Sequence, residues 1–292
     1  MQIKLVFYGN ILNYMTMIKQ LNVAEHFYSV QAECVTTGHP AYFIRLKGCN
    51  LSCGFTGQHI SNILKTGRNN TTAGDIVGDL HAENKATWTC DTAPIWLFGD
   101  KMSFDDMINS WKQQNVYNWI MSGRVHIIWT GGEPTIPKHQ EDIVNFLDYA
   151  YDHGKTNNLL PTFYNEIETN GTFVISNDLL SRLQQINCSV KLANSGMSKE
   201  KRIVPDALKS IQSHINHYFK FVISSEDDIK EIENDFIKPF DIEPNRVVLM
   251  PGLDSQANFH ERTRFSLEMA KKYGYIGLTR LHVSAWDKTV SV

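Results

Sequence analysis

The sequence predicts an α/β fold of parallel strands joined by helices, and three observations lead to this fold class. Short apolar segments alternate with amphipathic segments along most of the chain. The length of 292 residues is within the reach of one α/β barrel. The polar motifs that stand out follow directly after apolar segments, as expected at the carboxyl ends of parallel strands. We therefore expect an incomplete barrel of six or seven strand–helix units, with a doubly wound sheet as the alternative.

Seven short segments have the apolar, β-branched or aromatic composition that is typical of strands. In chain order they span residues 41–47, 126–131, 162–169, 188–193, 218–224, 246–252 and, as a candidate seventh strand, 278–283. Their spacing leaves room for a helical crossover between most successive strands, which predicts parallel pairing.

Helices are predicted in the segments between the strands. They span residues 104–114, 142–151, 177–186, 205–215, 226–236 and 261–273. In the second of them, Ile143, Phe146 and Ala150 have the spacing of one helix face. Pro205 stands in the first turn of the fourth, and Gly274 is a helix-stop signal after the last.

One segment interrupts the alternation of strands and helices. Residues 54–89 include GRNNTTAGD and HAENK and have weak periodicity, so we interpret them as an insertion, partly loop, with one short helix. Residues 1–20 are interpreted as an N-terminal extension, and residues 21–292 as one domain that contains the insertion.

Charge and composition exclude several classes of protein. The net charge is −3, and no block of Lys or Arg predicts a nucleic-acid-binding face. No segment reaches the ~18 apolar residues of a membrane span. Lys4 and Asn10 interrupt the partly apolar N-terminus, and no small-residue cleavage site follows, so no secretory signal is expected. We expect a cytoplasmic protein, in which five cysteines favour metal binding or catalysis over disulfides.

Three cysteines follow the first predicted strand. Cys49 and Cys53 come directly after it, and Cys90 stands in the phrase WTCDT. Thiolates are preferred ligands of iron–sulfur clusters and of zinc. Three thiolates on a four-iron cluster would leave one iron open, whereas a structural zinc site usually has four protein ligands. His59 or His81 could supply the fourth ligand, so at this point both kinds of site remain open.

A second motif favours the iron–sulfur interpretation. The phrase TGGEP, which comprises Thr130, Gly131, Gly132, Glu133 and Pro134, ends the second predicted strand. Glycines allow the backbone to approach a small ligand, and a carboxylate can accept hydrogen bonds from an ammonium group. Because TGGEP follows the group of cysteines by one predicted strand, it indicates a binding site far more specifically than it would alone.

These two motifs resemble those of the radical S-adenosylmethionine (SAM) enzymes. In that superfamily a CxxxCxxC motif after the first barrel strand holds a 4Fe–4S cluster, and a GGE motif after the second strand binds the amino group of SAM. Here Cys49 and Cys53 have the expected spacing, and the third cysteine is delayed to Cys90 by the insertion. The resemblance implies an incomplete (β/α)6-type radical SAM barrel with an insertion in the cluster loop.

The chain more specifically resembles the 7-carboxy-7-deazaguanine synthase family, from about residue 21 to residue 286. The residues of 29–53 that agree with the family's N-terminal pattern are Ser29, Gln31, Glu33, Gly38, Pro40, Phe43, Ile44, Arg45, Leu46, Gly48, Cys49, Asn50, Leu51 and Cys53. Ala32 and Cys34 replace two glycines of that pattern. The phrases WTCDT, ETNGT, SVK and RLHV resemble later family motifs.

The resemblance implies a reaction, cofactors and partners. The substrate would be 6-carboxy-5,6,7,8-tetrahydropterin, which is converted to 7-carboxy-7-deazaguanine by C6 hydrogen abstraction, ring contraction and loss of ammonia. The cofactors would be a 4Fe–4S cluster, SAM and Mg2+. An electron donor such as flavodoxin or ferredoxin and a homodimer are also implied.

It also implies roles for individual residues. Cys49, Cys53 and Cys90 would hold the cluster, and Thr92 would be the one direct protein ligand of Mg2+. TGGEP, Glu168, Asn170, Ser189 and Lys191 would bind SAM. The residues that would bind the pterin are Gln31, Glu33, Arg45 and His282, with the Arg45 guanidinium matching the carboxylate. Cys34 and Cys188 are predicted to be small apolar residues, and Trp129 and Phe221 to be core.

Two alternatives belong to other functional classes. A radical SAM activase that forms a glycyl radical on a partner protein would share the cluster and TGGEP, but would lack the loop SVQAEC that resembles the pterin-binding loop. A zinc-stabilised binding protein would contain zinc and no sulfide.

Overall fold

The computed structural model describes residues 19–67, 86–252, 257–287 and 289. Within these residues nine strands form one sheet, in the order β3-β1-β2-β4-β5-β6-β7-β8-β9. The strands are β1 (Gln20–Val30), β2 (Pro40–Leu46), β3 (Asp100–Ser103), β4 (His126–Gly131), β5 (Asn165–Thr169), β6 (Gln185–Val190), β7 (His217–Ile223), β8 (Val247–Pro251) and β9 (Ile276–Gly277).

Strand β2 and strands β4 to β9 are parallel to one another, and each of them pairs with the one that follows it in this series. The pairs are β2–β4, β4–β5, β5–β6, β6–β7, β7–β8 and β8–β9. This mixed α/β arrangement confirms the predicted fold class. Because the parallel strands run in one direction, their carboxyl ends lie at the same edge of the sheet.

Two antiparallel strands extend this sheet, and the sequence analysis assigned neither of them. Strand β1 pairs with β2, with Phe27 opposite Phe43, and β3 pairs with the start of β1. Alternate residues of β1 are only partly buried, so its apolar pattern is weaker than that of the parallel strands. Residues 1–18 lie outside the described residues, so the N-terminal extension stays a prediction.

The helices lie mainly between successive strands, and most are short. They are α1 (Gly57–Thr66), α2 (Ala93–Trp96), α3 (Phe104–Gln113), α4 (Tyr117–Met121), α5 (Pro137–Thr156), α6 (Asn177–Leu180), α7 (Lys199–Arg202), α8 (Pro205–Gln212), α9 (Glu226–Glu231), α10 (Lys238–Phe240), α11 (Phe259–Tyr273) and α12 (Leu281–Trp286). A π-helical turn, Ile232–Ile237, joins α9 to α10. Short 3-10 turns occur at Ala193–Ser195 and Pro244–Arg246.

Several predicted boundaries are wrong. The helix predicted at 177–186 ends at Leu180, because its last residues begin β6. The strand predicted at 188–193 therefore starts earlier and ends at Val190, which places Lys191 just beyond the strand. Helix α5 is twice as long as the predicted 142–151, and begins with Pro137 in its first turn.

The prediction of a strand at 278–283 is also wrong. Strand β9 is only Ile276–Gly277, and α12 begins at Leu281. The Leu281 amide donates to the Ala32 carbonyl at 3.0 Å. This segment therefore contacts the loop after β1 instead of extending the sheet, and the predicted site residue His282 lies on a helix.

The core lies between the sheet and its helices. Trp129 of β4 is fully buried and packs edge-on against Phe146 of α5, with ring centroids 5.8 Å apart. Phe221, Cys34 and Cys188 are also fully buried, which confirms that they are interior residues. In the described part of the chain, no helix is long and apolar enough to cross a bilayer.

Candidate active site

A cavity of about 450 Å3 lies at the carboxyl ends of the parallel strands. Residues of every parallel strand from β2 to β8 contribute to its lining. All of the predicted site residues line this cavity except Gln31, Glu133 and Pro134. The sheet therefore brings together groups that are up to ~250 positions apart in the sequence.

The three cysteines meet at this cavity because the two ends of the insertion, residues 54–89, lie next to each other. The Cys90 amide donates to the Cys53 carbonyl at 3.1 Å, so the two ends of residues 54–89 lie side by side. Gly54 has φ +76, and a Cβ there would lie 2.5 Å from the Trp88 carbonyl oxygen. A glycine is thus required for the close approach of the two segments.

An apolar cluster packs behind two of the cysteines. Ile63 of α1 and Trp96 of α2 are buried in it, and Cys49 and Cys90 pack against it. Thr56 caps the start of helix α1, where its side chain and that of His59 form a reciprocal cap. The short helix expected in the insertion is therefore present, and one of its faces covers the cysteine loop.

These thiols fit a cluster better than a single ion. Within residues 19–67, 86–252 and 257–287, no three His, Cys, Asp or Glu side chains are grouped so as to hold one metal ion. A four-iron cluster tolerates wider spacing, because each thiolate binds a different iron. Burial raises the pKa of Cys49 and of Cys53 to about 12, so a cationic centre is needed to hold them as thiolates.

The two zinc-ligand candidates do not join the cysteines. The His59 ring is hydrogen-bonded to Thr56 as part of the helix cap, with 2.6 Å between Nδ1 and the Thr56 hydroxyl oxygen. His81 lies outside the described residues.

Thr92 lies beside the third cysteine. Its hydroxyl is 3.3 Å from the Cys90 sulfur, and it makes no capping hydrogen bond to α2, although it occupies the capping position. The hydroxyl therefore remains available to the cavity.

The glycines of TGGEP allow β4 to contact the cysteine loop. A Cβ on Gly132 would lie 1.7 Å from the Gly48 carbonyl oxygen, which no side chain tolerates. The Gly132 amide donates to Leu46, and the Glu133 amide donates to Gly48 at 2.8 Å. The motif thus fixes the distance between the end of β4 and the cysteine loop.

Glu133 lies behind the cavity lining, and its predicted contact with an ammonium group stays a prediction. The side chain is fully buried and accepts hydrogen bonds from the Thr169 hydroxyl and the Asn170 amide, both at 2.7 Å, and from Thr135. Burial raises the pKa of Glu133, and these hydrogen bonds oppose that change. The Glu133 carboxylate follows β4 and accepts hydrogen bonds from residues at the end of β5, so it links the ends of these two strands.

Glu168 is the acidic side chain of β5 that faces the cavity. Its two oxygens accept hydrogen bonds from the Gln31 amide at 3.1 Å and from the Thr130 hydroxyl at 2.8 Å. The Gln31 side chain is buried, and its oxygen accepts from the amides of Ala32 and Glu33. Gln31 therefore holds the loop after β1 and does not itself line the cavity.

Cys34 follows in the same loop. It has φ 65, in the left-handed region, at a position where the family pattern has glycine. The substituted residue thus keeps the backbone conformation that glycine favours, at some cost in strain.

Three further predicted residues surround the cysteine loop. Asn170 donates to Asn50 at 2.9 Å and lies 3.9 Å from the Cys49 sulfur. The Lys191 ammonium donates to Ser189 at 2.9 Å and lies over the Trp88 ring. These groups could bind the polar end of a cofactor next to the cysteines.

Arg45 of β2 also lines the cavity. Its guanidinium pairs with Glu25 at 2.9 Å and lies 5.1 Å from the centre of the Phe27 ring. The pair leaves several of the five guanidinium N–H donors for a ligand. The location suits the predicted carboxylate contact, which stays a prediction.

Glu33 is the centre of a buried charge network that the sequence analysis missed. Its oxygens pair with Lys220 at 2.5 Å and with Arg280 at 3.0 Å, and Arg280 also pairs with Asp91. Burial by itself would raise the pKa of Glu33, but Lys220 and Arg280 outweigh it and hold the pKa well below its usual value. The carboxylate is thus ionised.

Two sequence signals could have found this network. Lys220 stands in the middle of the apolar strand YFKFVIS, where a charge must face a polar interior. Arg280 lies two residues before His282, which also lines the cavity. Burial, followed by repulsion from Arg280, lowers the pKa of His282, so its ring is neutral at neutral pH.

Comparison with known proteins gives one consistent result. No family model matches the chain. It is 26% identical to the 7-carboxy-7-deazaguanine synthase of Pyrobaculum aerophilum, over 93% of the chain and 97% of the relative. It is also 26% identical to the synthase of Halobacterium salinarum, over 91% of each chain.

A solved structure has the same fold. The crystal structure of QueE from Escherichia coli superposes with a TM-score of 0.54 and 21% identity, over 90% of this chain and 95% of that one. The chain is therefore similar over most of its length to curated 7-carboxy-7-deazaguanine synthases, and it carries the cysteine and TGGEP motifs described above.

Proposed function

We propose that the protein converts 6-carboxy-5,6,7,8-tetrahydropterin to 7-carboxy-7-deazaguanine with a 4Fe–4S cluster and SAM. The observation that carries this proposal is the meeting of three cysteines with Glu33, Arg45 and His282 in one cavity. A glycyl-radical activase and a zinc-stabilised binding protein are not supported, since the full-length relatives are synthases.

We infer that the sheet curves into the incomplete barrel implied by the resemblance. Arg280, after the last strand, pairs with Glu33, after the first, and Leu281 bonds to Ala32 nearby. These contacts bring the two sides of the sheet together, and such contacts support a curved sheet over a flat one.

The cysteine side of the cavity would hold the cofactors. When bound there by Cys49, Cys53 and Cys90, the cluster would supply the electron that starts radical chemistry on SAM. The backbone of Gly131 and Gly132 would bind SAM next to it, with Asn170, Ser189, Lys191 and Glu168 as polar contacts. Glu133 and Pro134 would shape this site from behind.

The part of the cavity lined by Arg45, Glu33 and His282 would hold the pterin. Arg45 would bind its carboxylate with a forked guanidinium, and ionised Glu33 would accept hydrogen bonds from the amide and amino edge. Gln31 would orient Glu33 through the hydrogen bond to its amide. The neutral ring of His282 can donate to one ligand atom or accept from it while it closes the cavity.

Thr92 would be the direct protein ligand of Mg2+. A neutral hydroxyl is a weak ligand, so substrate oxygens and water would provide most of the coordination. By the same resemblance, we propose a cytoplasmic homodimer reduced by a flavodoxin or ferredoxin.

One assay tests the proposed function. Anaerobically reconstituted enzyme is reduced and incubated with SAM, Mg2+ and the carboxypterin, and the products are measured by mass. We expect 7-carboxy-7-deazaguanine and one ammonia per turnover, and neither when SAM is omitted. Enzyme that carries a full cluster and cleaves SAM, but leaves the carboxypterin unchanged, would contradict the proposal.

A further inference from the structure

Strands β1 and β2 present four neighbouring side chains on one face. In the antiparallel register of these strands, Glu25 is opposite Arg45 and Phe27 is opposite Phe43. Because alternate residues of a strand point to the same face, all four side chains share one face of the strand pair. Phe27, Phe43 and Arg45 line the cavity. The arginine that would bind the pterin carboxylate therefore has an acidic and an aromatic neighbour on the same surface.

The Phe27 ring is fixed by packing against a second aromatic ring. Its centroid lies 5.2 Å from that of Phe43, and the two ring planes are 11° apart. Phe43 is buried in a small core cluster with Ala41 and Ile128, and Phe27 packs against this cluster while remaining only partly buried. Phe27 thus provides a rigid apolar surface at the wall of the cavity.

Two contacts orient the Arg45 guanidinium at this surface. Its Nη1 pairs with a Glu25 oxygen at 2.9 Å, and its Cζ lies 5.1 Å from the centre of the Phe27 ring. The face of an aromatic ring attracts a cation, and the attraction increases when water is excluded. The side chains of Arg45 and Glu25 are only 18% and 11% exposed, so little water competes for these contacts. The guanidinium is therefore oriented before any ligand binds.

This orientation affects only ligands that have a carboxylate. A mobile arginine loses conformational freedom when it forms a forked contact, and that loss weakens binding. An arginine held by Glu25 and Phe27 has already lost this freedom when the protein folds. A pterin that carries a carboxylate binds more tightly as a result, whereas a pterin without one makes no forked contact and gains nothing.

We propose that Phe27 is a positioning residue that acts through Arg45 and makes the cavity selective for carboxylated pterins. The proposal rests on the proposed function, which assigns the pterin carboxylate to Arg45. Removal of the ring leaves the ion pair with Glu25 in place but releases the second of the two contacts that orient the guanidinium. Phe27 therefore controls how strongly the cavity distinguishes the carboxylated substrate from its analogues.

The experiment compares two ligands that differ only in the carboxyl group. Affinities for 6-carboxy-5,6,7,8-tetrahydropterin and 5,6,7,8-tetrahydropterin are measured with SAM and Mg2+ present and the cluster left oxidised, so that no turnover occurs. In Phe27→Leu we expect the preference for the carboxylated ligand to fall about fivefold, with the affinity for tetrahydropterin unchanged. Phe27→Tyr keeps the ring and should keep the preference. The control, Phe163→Leu, alters a partly buried ring outside the cavity lining and should match the wild type.

A second variant tests whether Phe27 acts through Arg45. Arg45→Gln should itself lower the preference for the carboxylated ligand by about tenfold or more, and Phe27→Leu should cause no further loss in that background. If Phe27→Leu weakened binding of both ligands equally, or lowered the preference as much without Arg45 as with it, the ring would contact the pterin directly. Either result would overturn the positioning role.

The outcomes separate this proposal from the proposed function. An unchanged preference in Phe27→Leu, together with a reduced preference in Arg45→Gln, would overturn the role of Phe27 and leave the proposed function intact. If the wild type and Arg45→Gln each bound the two ligands equally well, the carboxylate contact of the proposed function would fail, and the role of Phe27 would fail with it.

Discussion

The Cys90 amide donates a hydrogen bond to the Cys53 carbonyl at 3.1 Å, although residues 54–89 lie between them in the sequence. The insertion therefore leaves and re-enters the cysteine loop at one point. Cys49, Cys53 and Cys90 therefore line one cavity, although Cys90 is far from the other two in the chain. This relationship explains how a delayed third cysteine can serve the same centre as the first two.

Removal of the delayed cysteine should abolish the cluster. We expect reconstituted Cys90→Ala to lose most of the ~4 iron and ~4 sulfide per chain, because two thiolates do not retain a four-iron cluster. Cys34→Ala and Cys188→Ala are matched controls, since both thiols are buried in the core, and each should retain its iron. A normal cluster in Cys90→Ala would mean that the third ligand lies elsewhere.

A single methyl group at the base of the insertion should also disturb the cluster. In Gly54→Ala, the new Cβ would meet Trp88 in a left-handed conformation, which should cost about 2 kcal/mol or more of folding free energy. The amount of iron that Gly54→Ala retains in air should fall as its folding stability falls. Gly57→Ala is the control, because a Cβ there meets nothing within 4 Å. Equal iron loss in the two variants would refute the close-approach argument.

Arg45→Lys should weaken substrate binding and leave SAM chemistry in place. An ammonium does not reproduce a forked contact, so we expect the Kd for the carboxypterin to rise about tenfold. Reductive cleavage of SAM without substrate should persist. The exposed Arg124→Lys is the control and should bind substrate like the wild type. Unchanged affinity in Arg45→Lys would remove Arg45 from the site and leave it as the partner of Glu25.

Thr92→Val tests the metal ligand. The substitution removes the hydroxyl oxygen and keeps the branched shape, so the cluster and SAM binding should be unaffected. Product formation should slow by about tenfold, and its dependence on Mg2+ should decrease. If turnover and the Mg2+ response both match the wild type, the Thr92 hydroxyl has no role in metal binding.

The neutral state of His282 predicts a pH dependence of stability. Burial holds its pKa below 6.5 in the folded protein, so on acidification the unfolded chain takes up this proton first. Its contribution to stability is therefore present above about pH 6.5 and decreases as the pH falls toward the lowered folded value.

His282→Gln removes this contribution. Between about pH 7 and about pH 5.5, its melting temperature should fall less than that of the wild type. Some slope should remain, because burial also lowers the pKa of His26 and His217. Parallel curves for wild type and variant would show that His282 does not titrate as argued.

Much of the candidate site could be predicted because its signals are local. Cys49, Cys53 and TGGEP each follow a strongly apolar strand, and parallel strands place such residues at one edge. The wrong prediction of a strand at 278–283 has a different origin. The apolar positions of RLHV fit either a strand or a short helix, and the contact of Leu281 with Ala32 decides between them.

The sequence by itself determined the parallel α/β class, the cysteine and glycine motifs and the family that they resemble, because each depends on a short periodic or fixed pattern. Only the tertiary structure decided which donors and acceptors meet. In the folded chain the Glu133 carboxylate links the ends of β4 and β5, and Glu33 pairs with Arg280, which is 247 positions away in the sequence. The physical reason is that a buried charge must find a partner in space, and neither periodicity nor spacing along the chain records where that partner lies.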